Sequence, residues 1–131
     1  MKSTPVALLA LAAAAAGCAA TPYDQPWSMI QTDIARSSDP NVLPVIVNRV
    51  DGVNARPDNT AIVAPGRHEV TIDVPPRRGY QATQHTFVLV TEPCTRYYVA
   101  AHLESVTLPD WTPIVRSTER IGECEKKFAL R

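Results

Sequence analysis

The sequence predicts an all-β fold, a single small antiparallel β-sandwich that follows a cleaved N-terminal signal segment. Three observations predict it. Short apolar runs rich in β-branched residues recur after residue 26 at a spacing of about ten residues. Turn dipeptides such as Asp51-Gly52 and Pro65-Gly66 separate those runs. No window beyond the signal carries a helical apolar stripe over three turns, and strands at this spacing are typical of a two-sheet sandwich.

The N-terminal residues carry the pattern of an exported protein. Lys2 gives a short positive region, and Val6–Ala16 is an unbroken apolar stretch of eleven residues, close to the apolar length of a secretory signal. A membrane-spanning helix needs about twenty apolar residues, and the polar, proline-bearing Thr21–Pro26 follows soon after. We therefore interpret residues 1–17 as a cleaved signal peptide and not as a transmembrane anchor.

The signal ends in the tetrapeptide Ala15-Ala16-Gly17-Cys18. It resembles the bacterial lipobox, in which small residues precede a cysteine. The resemblance implies a diacylglyceryl group on the Cys18 thiol, cleavage before Cys18 and acylation (palmitate) of the new amino group. Ala19 stands where an aspartate would retain a Gram-negative lipoprotein at the inner membrane, so the resemblance implies the periplasmic face of the outer membrane. The alternative is an ordinary secretory cleavage that leaves Cys18 as an incidental thiol.

Charge and length bound the mature chain. Removing residues 1–17 removes Lys2 and leaves 114 residues with 12 Lys+Arg and 13 Asp+Glu, a net charge of −1 with neutral histidines. This balance gives no electrostatic reason to expect a nucleic acid as partner, and the expected partner is the membrane, through the lipid on Cys18. We expect one domain at this length, at residues 27–131, behind a tether at residues 18–26.

The predicted strands follow from alternation and turn signals. His68–Val74 alternates strictly, with apolar residues at every second position, which is typical of a half-buried antiparallel strand. Thr95–Leu103 alternates in the same way, and Pro113 makes the last strand an edge. The tail, Glu123–Arg131, has no clear pattern. The other predicted strands are Trp27–Ile34, Leu43–Val50, Thr60–Ala64, Thr86–Thr91 and Trp111–Ser117.

Three short stretches carry a second resemblance. They are Val50-Asp51-Gly52, Ala64–Val70 and Gly79-Tyr80, which read as an apolar strand ending in Asp-Gly, then Pro-Gly-x-His-x-Val, then Gly-Tyr. This order resembles that of PEGA-type β-sandwich modules, which are related in shape to transthyretin-like domains. The resemblance implies a surface-associated or structural module without catalysis.

The cysteines predict a disulfide. If Cys18 is acylated, Cys94 and Cys124 remain as an even pair in an exported protein, where an oxidising compartment favours their bonding. The closed loop of 31 residues would stabilise the fold by about 3.5 kcal/mol in the chain-entropy model. The bond would hold the tail to the start of the Thr95–Leu103 strand. Two free buried thiols are the alternative, and no Cys-x-x-Cys spacing points to a redox-catalytic pair.

No catalytic, metal or cofactor site is predicted. His68, His85 and His102 are scattered, and a metal site from His68, Glu69 and His102 would require the fold to bring them together. The sequence contains no nucleophile elbow, phosphate loop, zinc-protease motif or dinucleotide fingerprint. We therefore expect no enzyme.

Two functions remain open from the sequence. The first is a lipid-anchored structural or interaction module of the cell envelope, with an envelope protein or a glycan as partner. The alternative is a small-ligand or glycan-binding lipoprotein that uses exposed aromatic residues. Alternation predicts that Tyr98 points outward and Tyr97 inward. We expect Trp111 to pack in the core, as tryptophan most often does. An exposed aromatic ring beside a concave patch would favour the alternative.

Overall fold

The computed structural model of the chain describes residues 21–33, 38–76 and 83–130. These ranges fold into two β-sheets, one mixed and one antiparallel, with one short helix near the C-terminus. The predicted all-β class is confirmed to this extent. The elements are β1 (Ser28–Thr32), β2 (Val42–Leu43), β3 (Ile46–Val50), β4 (Val53–Asn54), β5 (Thr60–Val63), β6 (Gly66–Val74), β7 (Thr83–Thr91), β8 (Thr95–Leu103), β9 (Trp111–Arg120) and α1 (Gly122–Phe128).

The mixed sheet is built around β8. β9 pairs with one side of β8, β1 and β2 pair with the other side, and β5 pairs with the far side of β1. β1 runs parallel to β8, with Ile30 beside Tyr97, so the prediction of a purely antiparallel arrangement is wrong for this sheet. The physical reason is that no hairpin joins the two strands, and therefore no turn fixes their relative direction.

The antiparallel sheet has the order β4-β3-β6-β7. Asp51 and Gly52 form the two-residue turn between β3 and β4, and both adopt positive φ angles, 51° and 79°, as a tight hairpin requires. The turn predicted at Asp51-Gly52 is therefore present. Gly66 begins β6 at a φ of 134°, a conformation that a residue with a Cβ rarely adopts. From there β6 pairs with β7 over its whole length.

One apolar core joins the two sheets. The antiparallel sheet contributes Val70 and Ile72, and the mixed sheet contributes Ile30 and Val99, all four of them fully buried. The inward faces that alternation predicted for β6 and β8 are therefore confirmed, and Trp111 packs in the core as predicted. The other buried members are Leu43, Val45, Val47, Val50, Ala61, Val74, Leu89, Tyr97, Ala101 and Leu103.

A second apolar cluster lies under α1. Trp27 and Ile121 are its largest buried members, and the Trp27 ring meets the Phe128 ring edge-on at 6.1 Å. Met29 and Ile62 of the mixed sheet pack against this cluster. The tail, which shows no pattern in the sequence, thus forms a helix that covers part of the mixed sheet. A seven-residue helix is too short to be stable alone, so this packing stabilises it.

The segment just before β1 lies against the same cluster. The Asp24 amide donates to the Thr21 carbonyl (3.1 Å), and the Thr21 amide donates to Asp24 Oδ2 (2.8 Å). The Tyr23 ring meets the Trp27 ring edge-on at 5.0 Å, and Lys127 Nζ donates to the Tyr23 carbonyl (2.7 Å). Residues 21–26, which we interpret from the sequence as part of a tether, therefore form a turn held against α1. The rest of that segment lies outside the described residues.

Candidate functional site

Cys94 and Cys124 form a disulfide, as the sequence predicts. Their Cα atoms are 5.3 Å apart, and both side chains are fully buried in the cluster under α1. The Cys94 amide donates to the Trp27 carbonyl (2.8 Å), and the Cys94 carbonyl accepts from the Ile121 amide (2.9 Å). The disulfide therefore joins the turn before β8 to α1. The backbone hydrogen bond of Cys94 connects the same turn to Trp27, the residue before β1. Cys18, the predicted lipidation site, lies outside the described residues.

A hydrogen-bonded cluster connects the two turns at one end of the antiparallel sheet. Asp51 Oδ2 lies 2.6 Å from His68 Nδ1, and Asp51 Oδ1 accepts from the Glu69 amide (2.8 Å). His68 Nε2 lies 2.5 Å from the Ala64 carbonyl. Both ring nitrogens of His68 therefore lie within hydrogen-bond distance of an oxygen atom. The hydrogen bond from His68, followed by that from the Glu69 amide, lowers the pKa of Asp51.

An open groove of about 390 Å³ lies beside this cluster, between β4 and β5. Its walls are mostly apolar, and Val53, at 70% exposure, stands on its rim. Small-molecule sites of this size usually enclose the ligand and present several convergent polar groups. Here Asp51 and His68 bond to each other, and the groove is open to solvent. The groove therefore lacks the features of a built ligand pocket.

Tyr98 faces outward on the mixed sheet, as alternation predicts. It is half-buried, and its hydroxyl donates to Glu119 Oε2 (2.7 Å), which also accepts from Arg96 Nη1 (3.2 Å). These bonds, from Tyr98 first and then Arg96, lower the pKa of Glu119. Tyr97 is buried, and its hydroxyl accepts from the Glu92 amide (2.7 Å). Within the described ranges, Tyr23 is the most exposed Tyr, Trp or Phe, at 40%.

The histidines lie apart. The His85 ring packs on the Trp111 ring at 4.1 Å, and His68 pairs with Asp51. His102 lies on β8 of the mixed sheet, so His68 and His102 are in different sheets. Among the residues that the structure describes, no group of three or more His, Cys, Asp or Glu side chains could hold a metal ion. The set of His68, Glu69 and His102 is therefore not brought together.

The sequence analysis missed the pairing of Asp51 with His68. Both residues belong to turn motifs that the sequence shows, but they are separated by 17 positions, and only the register of β3 against β6 brings them together. The Gly79-Tyr80 stretch of the PEGA-like pattern lies outside the described residues, so two of its three stretches can be placed. Both of them meet at this cluster.

The described ranges contain no helix long and apolar enough to cross a membrane. No protein-family model matches the sequence, and neither a curated protein nor a solved structure is detectably similar to it.

Proposed function

We propose that this chain is a lipid-anchored lipoprotein of a bacterial cell envelope, held on the periplasmic face of the outer membrane through Cys18. Its two-sheet body, a β-sandwich of the PEGA-like type, serves as a non-catalytic structural or interaction module. The observation that carries the proposal is the tetrapeptide Ala15-Ala16-Gly17-Cys18 at the end of an eleven-residue apolar stretch. Two acyl chains or more at Cys18 would make dissociation from a bilayer negligible, because each buried methylene contributes about 0.8 kcal/mol.

The disulfide supports an exported location. Bonded Cys94 and Cys124 are typical of secreted and periplasmic proteins, whereas reducing compartments keep thiols free. A buried disulfide that joins the turn before β8 to α1 fits a small domain of the envelope. This is the compartment that the signal peptide and the lipobox resemblance imply.

The position of the N-terminal turn supports a short connection to the membrane. Thr21, the first residue of the turn held against α1, follows Cys18 by three positions. Three extended residues span at most about 11 Å. An acylated Cys18 would therefore hold the α1 end of the body close to the bilayer, with the far ends of the sheets directed toward envelope partners.

The glycan-binding alternative has less support than the interaction module. Its candidate ring, Tyr98, is half-buried, and its hydroxyl is bonded to Glu119. Tyr97 and Trp111 are buried in the core. Exposed Tyr23 packs edge-on against Trp27. A sugar platform needs an open aromatic face beside free hydrogen-bonding groups, and these rings do not combine the two.

The proposal is tested by fractionation of cells that express the full chain. We expect the unaltered protein in the membrane fraction, and Cys18→Ser in the soluble fraction with no acyl mass. Ala19→Asp is the matched control: it retains the cysteine, and we expect it to stay acylated but to move from the outer to the inner membrane. Persistence of Cys18→Ser in the membrane fraction would contradict the lipid anchor.

A further inference from the structure

β7 is an outer strand of the antiparallel sheet with no protective features. Its nine residues, Thr-Gln-His-Thr-Phe-Val-Leu-Val-Thr, contain no lysine, arginine, acid, proline or glycine. Natural edge strands are usually short, charged, bulged or interrupted by proline, since an open edge invites another strand. β9, the outer strand of the mixed sheet, has such features in Pro113, Arg116 and a register shift against β8. β7 therefore differs from the other long edge strand that the structure describes.

The free edge of β7 presents the backbone of its even-numbered residues. Both backbone groups of Glu69 bond to Asp51: its carbonyl accepts from the Asp51 amide (2.8 Å), and its amide donates to the side-chain oxygen Oδ1 of Asp51 (2.8 Å). The backbone N–H and C=O groups of odd-numbered residues of β6 thus point toward β3, and those of even-numbered residues point toward β7. Val70 of β6 lies opposite Phe87 of β7. The backbone groups of odd-numbered residues of β7 therefore hydrogen-bond to β6. No described residue hydrogen-bonds to the backbone of the even ones, which are Gln84, Thr86, Val88 and Val90.

Two outward side chains in the second half of β7 are apolar, and charged residues lie beside them on β6. Val88 is 47% exposed and Val90 is 66% exposed. Glu69 lies opposite Val88 on β6, and Arg67 lies opposite Val90. Neither the Glu69 nor the Arg67 side chain forms an ion pair or hydrogen bond with a described residue. The edge thus combines two exposed valines with one unpaired charge of each sign.

We propose that β7 is a self-association edge, at which two copies of this chain pair antiparallel with Val88 opposite Val90 of the partner subunit. The two-fold axis passes through Leu89. Even residues then meet even residues, so each valine pair exchanges two backbone hydrogen bonds. The antiparallel sheets of the two copies thus form one continuous sheet, joined at the pair of β7 strands. This proposal does not depend on acylation of Cys18.

The charges of Arg67 and Glu69 favour one register of the pairing, and they favour a second copy of this chain as the partner of β7. With Val88 opposite Val90 of the partner subunit, each row across the interface carries Arg67 of one copy and Glu69 of the other. A shift that sets Val88 opposite its own equivalent aligns glutamate with glutamate, and one that sets Val90 opposite its equivalent aligns arginine with arginine. Like charges in register are destabilising. The apolar pairing and the charge pattern therefore favour the same register.

The charges act mainly on register, and the dimer is weak. The β6 strands of the two copies are separated by three strand spacings, about 14 Å in all. The Arg67 and Glu69 side chains extend over the valines toward each other, which brings their charges to about the Debye length of 8 Å. An edge pairing buries less than the area of about 1,200–2,000 Å² found in stable interfaces. We therefore expect dissociation on dilution and sensitivity to salt.

Disulfide trapping of the full chain tests β7 as the interface. Val88→Cys/Val90→Cys should give a covalent dimer as the main species under mild oxidation, because each cysteine faces one on the partner subunit at a bridging distance. The Cα atoms of positions 88 and 90 of one strand lie about 6.8 Å apart, at the upper limit of the distance that a disulfide spans, so bonding within one chain is disfavoured. Val53→Cys is the matched control, an exposed valine on β4, and should stay monomeric. Equal dimer yields from the two variants, or trapping of a different protein, would overturn the proposal.

Charge exchange tests the choice of a second copy. Arg67→Glu and Glu69→Arg should each lower the dimer fraction in sedimentation of the full chain, because each creates rows of like charge. Arg67→Glu/Glu69→Arg should restore it, since every row again carries both signs. Both sites are exposed on the sheet surface, so we expect the thermal midpoint of all three variants to be unchanged. Failure of the double variant to recover dimer would overturn the proposed register.

Discussion

Asp51 Oδ2 lies 2.6 Å from His68 Nδ1 and so joins the turn between β3 and β4 to the first residues of β6. The Ala64 carbonyl holds the second ring nitrogen of His68 at 2.5 Å. One histidine therefore connects two turns that lie far apart in the sequence. The arrangement fixes the β3–β4 hairpin relative to β5 and β6, at the end of the sheet beside the open groove.

Asp51→Asn should weaken this connection without disturbing the turn, since asparagine tolerates the positive φ of residue 51. The folded-state pKa of Asp51 is lowered, so its contribution is present above the unfolded pKa of about 3.9 and is lost as pH falls through the lower folded value. We expect the variant to unfold more easily at pH 7, by less than about 1 kcal/mol for this exposed pair. The difference should shrink as the pH falls below the unfolded pKa.

Thermal unfolding between pH 2 and pH 7 measures this effect. Asp110→Asn, at an exposed residue outside the cluster, is the control and should follow the unaltered protein at every pH. A pH-independent difference between Asp51→Asn and the unaltered protein would show that the carboxylate charge does not act through His68.

Removal of the disulfide should strongly destabilise the protein. Cys94→Ala/Cys124→Ala opens a loop of 31 residues, and the chain-entropy model predicts a loss of about 3.5 kcal/mol. The helix α1 should be affected most, because its packing depends on the buried cluster around Cys124. Urea unfolding gives the free energy, with the reduced unaltered protein as a second measurement. A loss below about 1 kcal/mol would show that the loop is already restrained in the unfolded chain.

Lys127→Ala should release the N-terminal turn from α1. Lys127 Nζ donates to the Tyr23 carbonyl (2.7 Å), and one such exposed bond contributes about 1 kcal/mol, so the global stability should change little. Hydrogen exchange at residues 21–26 should become faster. Lys126→Ala, the neighbouring lysine on α1, should leave exchange unchanged. Equal exchange in the two variants would show that the Tyr23–Trp27 ring contact alone holds the turn.

Ile72→Ala should lower the free energy of unfolding by about 2–5 kcal/mol, because it leaves a cavity between the two sheets. Ile72 is fully buried. Ile46, on the outward face of neighbouring β3, is 38% exposed, and Ile46→Ala should cost much less. Similar losses from the two variants in urea unfolding would contradict the shared core.

Local alternation was sufficient to predict some strands and not others. β6 and β8 are long and carry apolar residues at every second position of one face, so the sequence predicts both the strands and their inward faces. β7 begins at Thr83 rather than at Thr86, and β9 ends at Arg120 rather than at Ser117. The additional residues at these two strand ends are polar and exposed. They belong to the strands because β7 pairs with β6, and β9 with β8, beyond the apolar stretch. The parallel pairing of β1 with β8 is non-local and has no sequence signal of its own.

The helix and the site show the same division. α1 is too short to show a three-turn stripe, and it is stabilised by Cys94 and Trp27, which lie outside the helix, and by Ile121 at its N-cap. The Cys94–Cys124 bond was predictable, because acylation of Cys18 in an exported chain, as the sequence predicts, would leave that pair. The bond between Asp51 and His68 was not predictable, because it depends on a strand register.

The most direct test of the lipid anchor is the intact mass of the full chain extracted from membranes, measured before and after reduction. We predict a chain that begins at Cys18, carries the mass of a diacylglyceryl group and an amide-linked acyl chain, and gains the mass of two hydrogen atoms on reduction of Cys94–Cys124. A chain that begins elsewhere, with an unmodified Cys18 sulfur, would contradict the account.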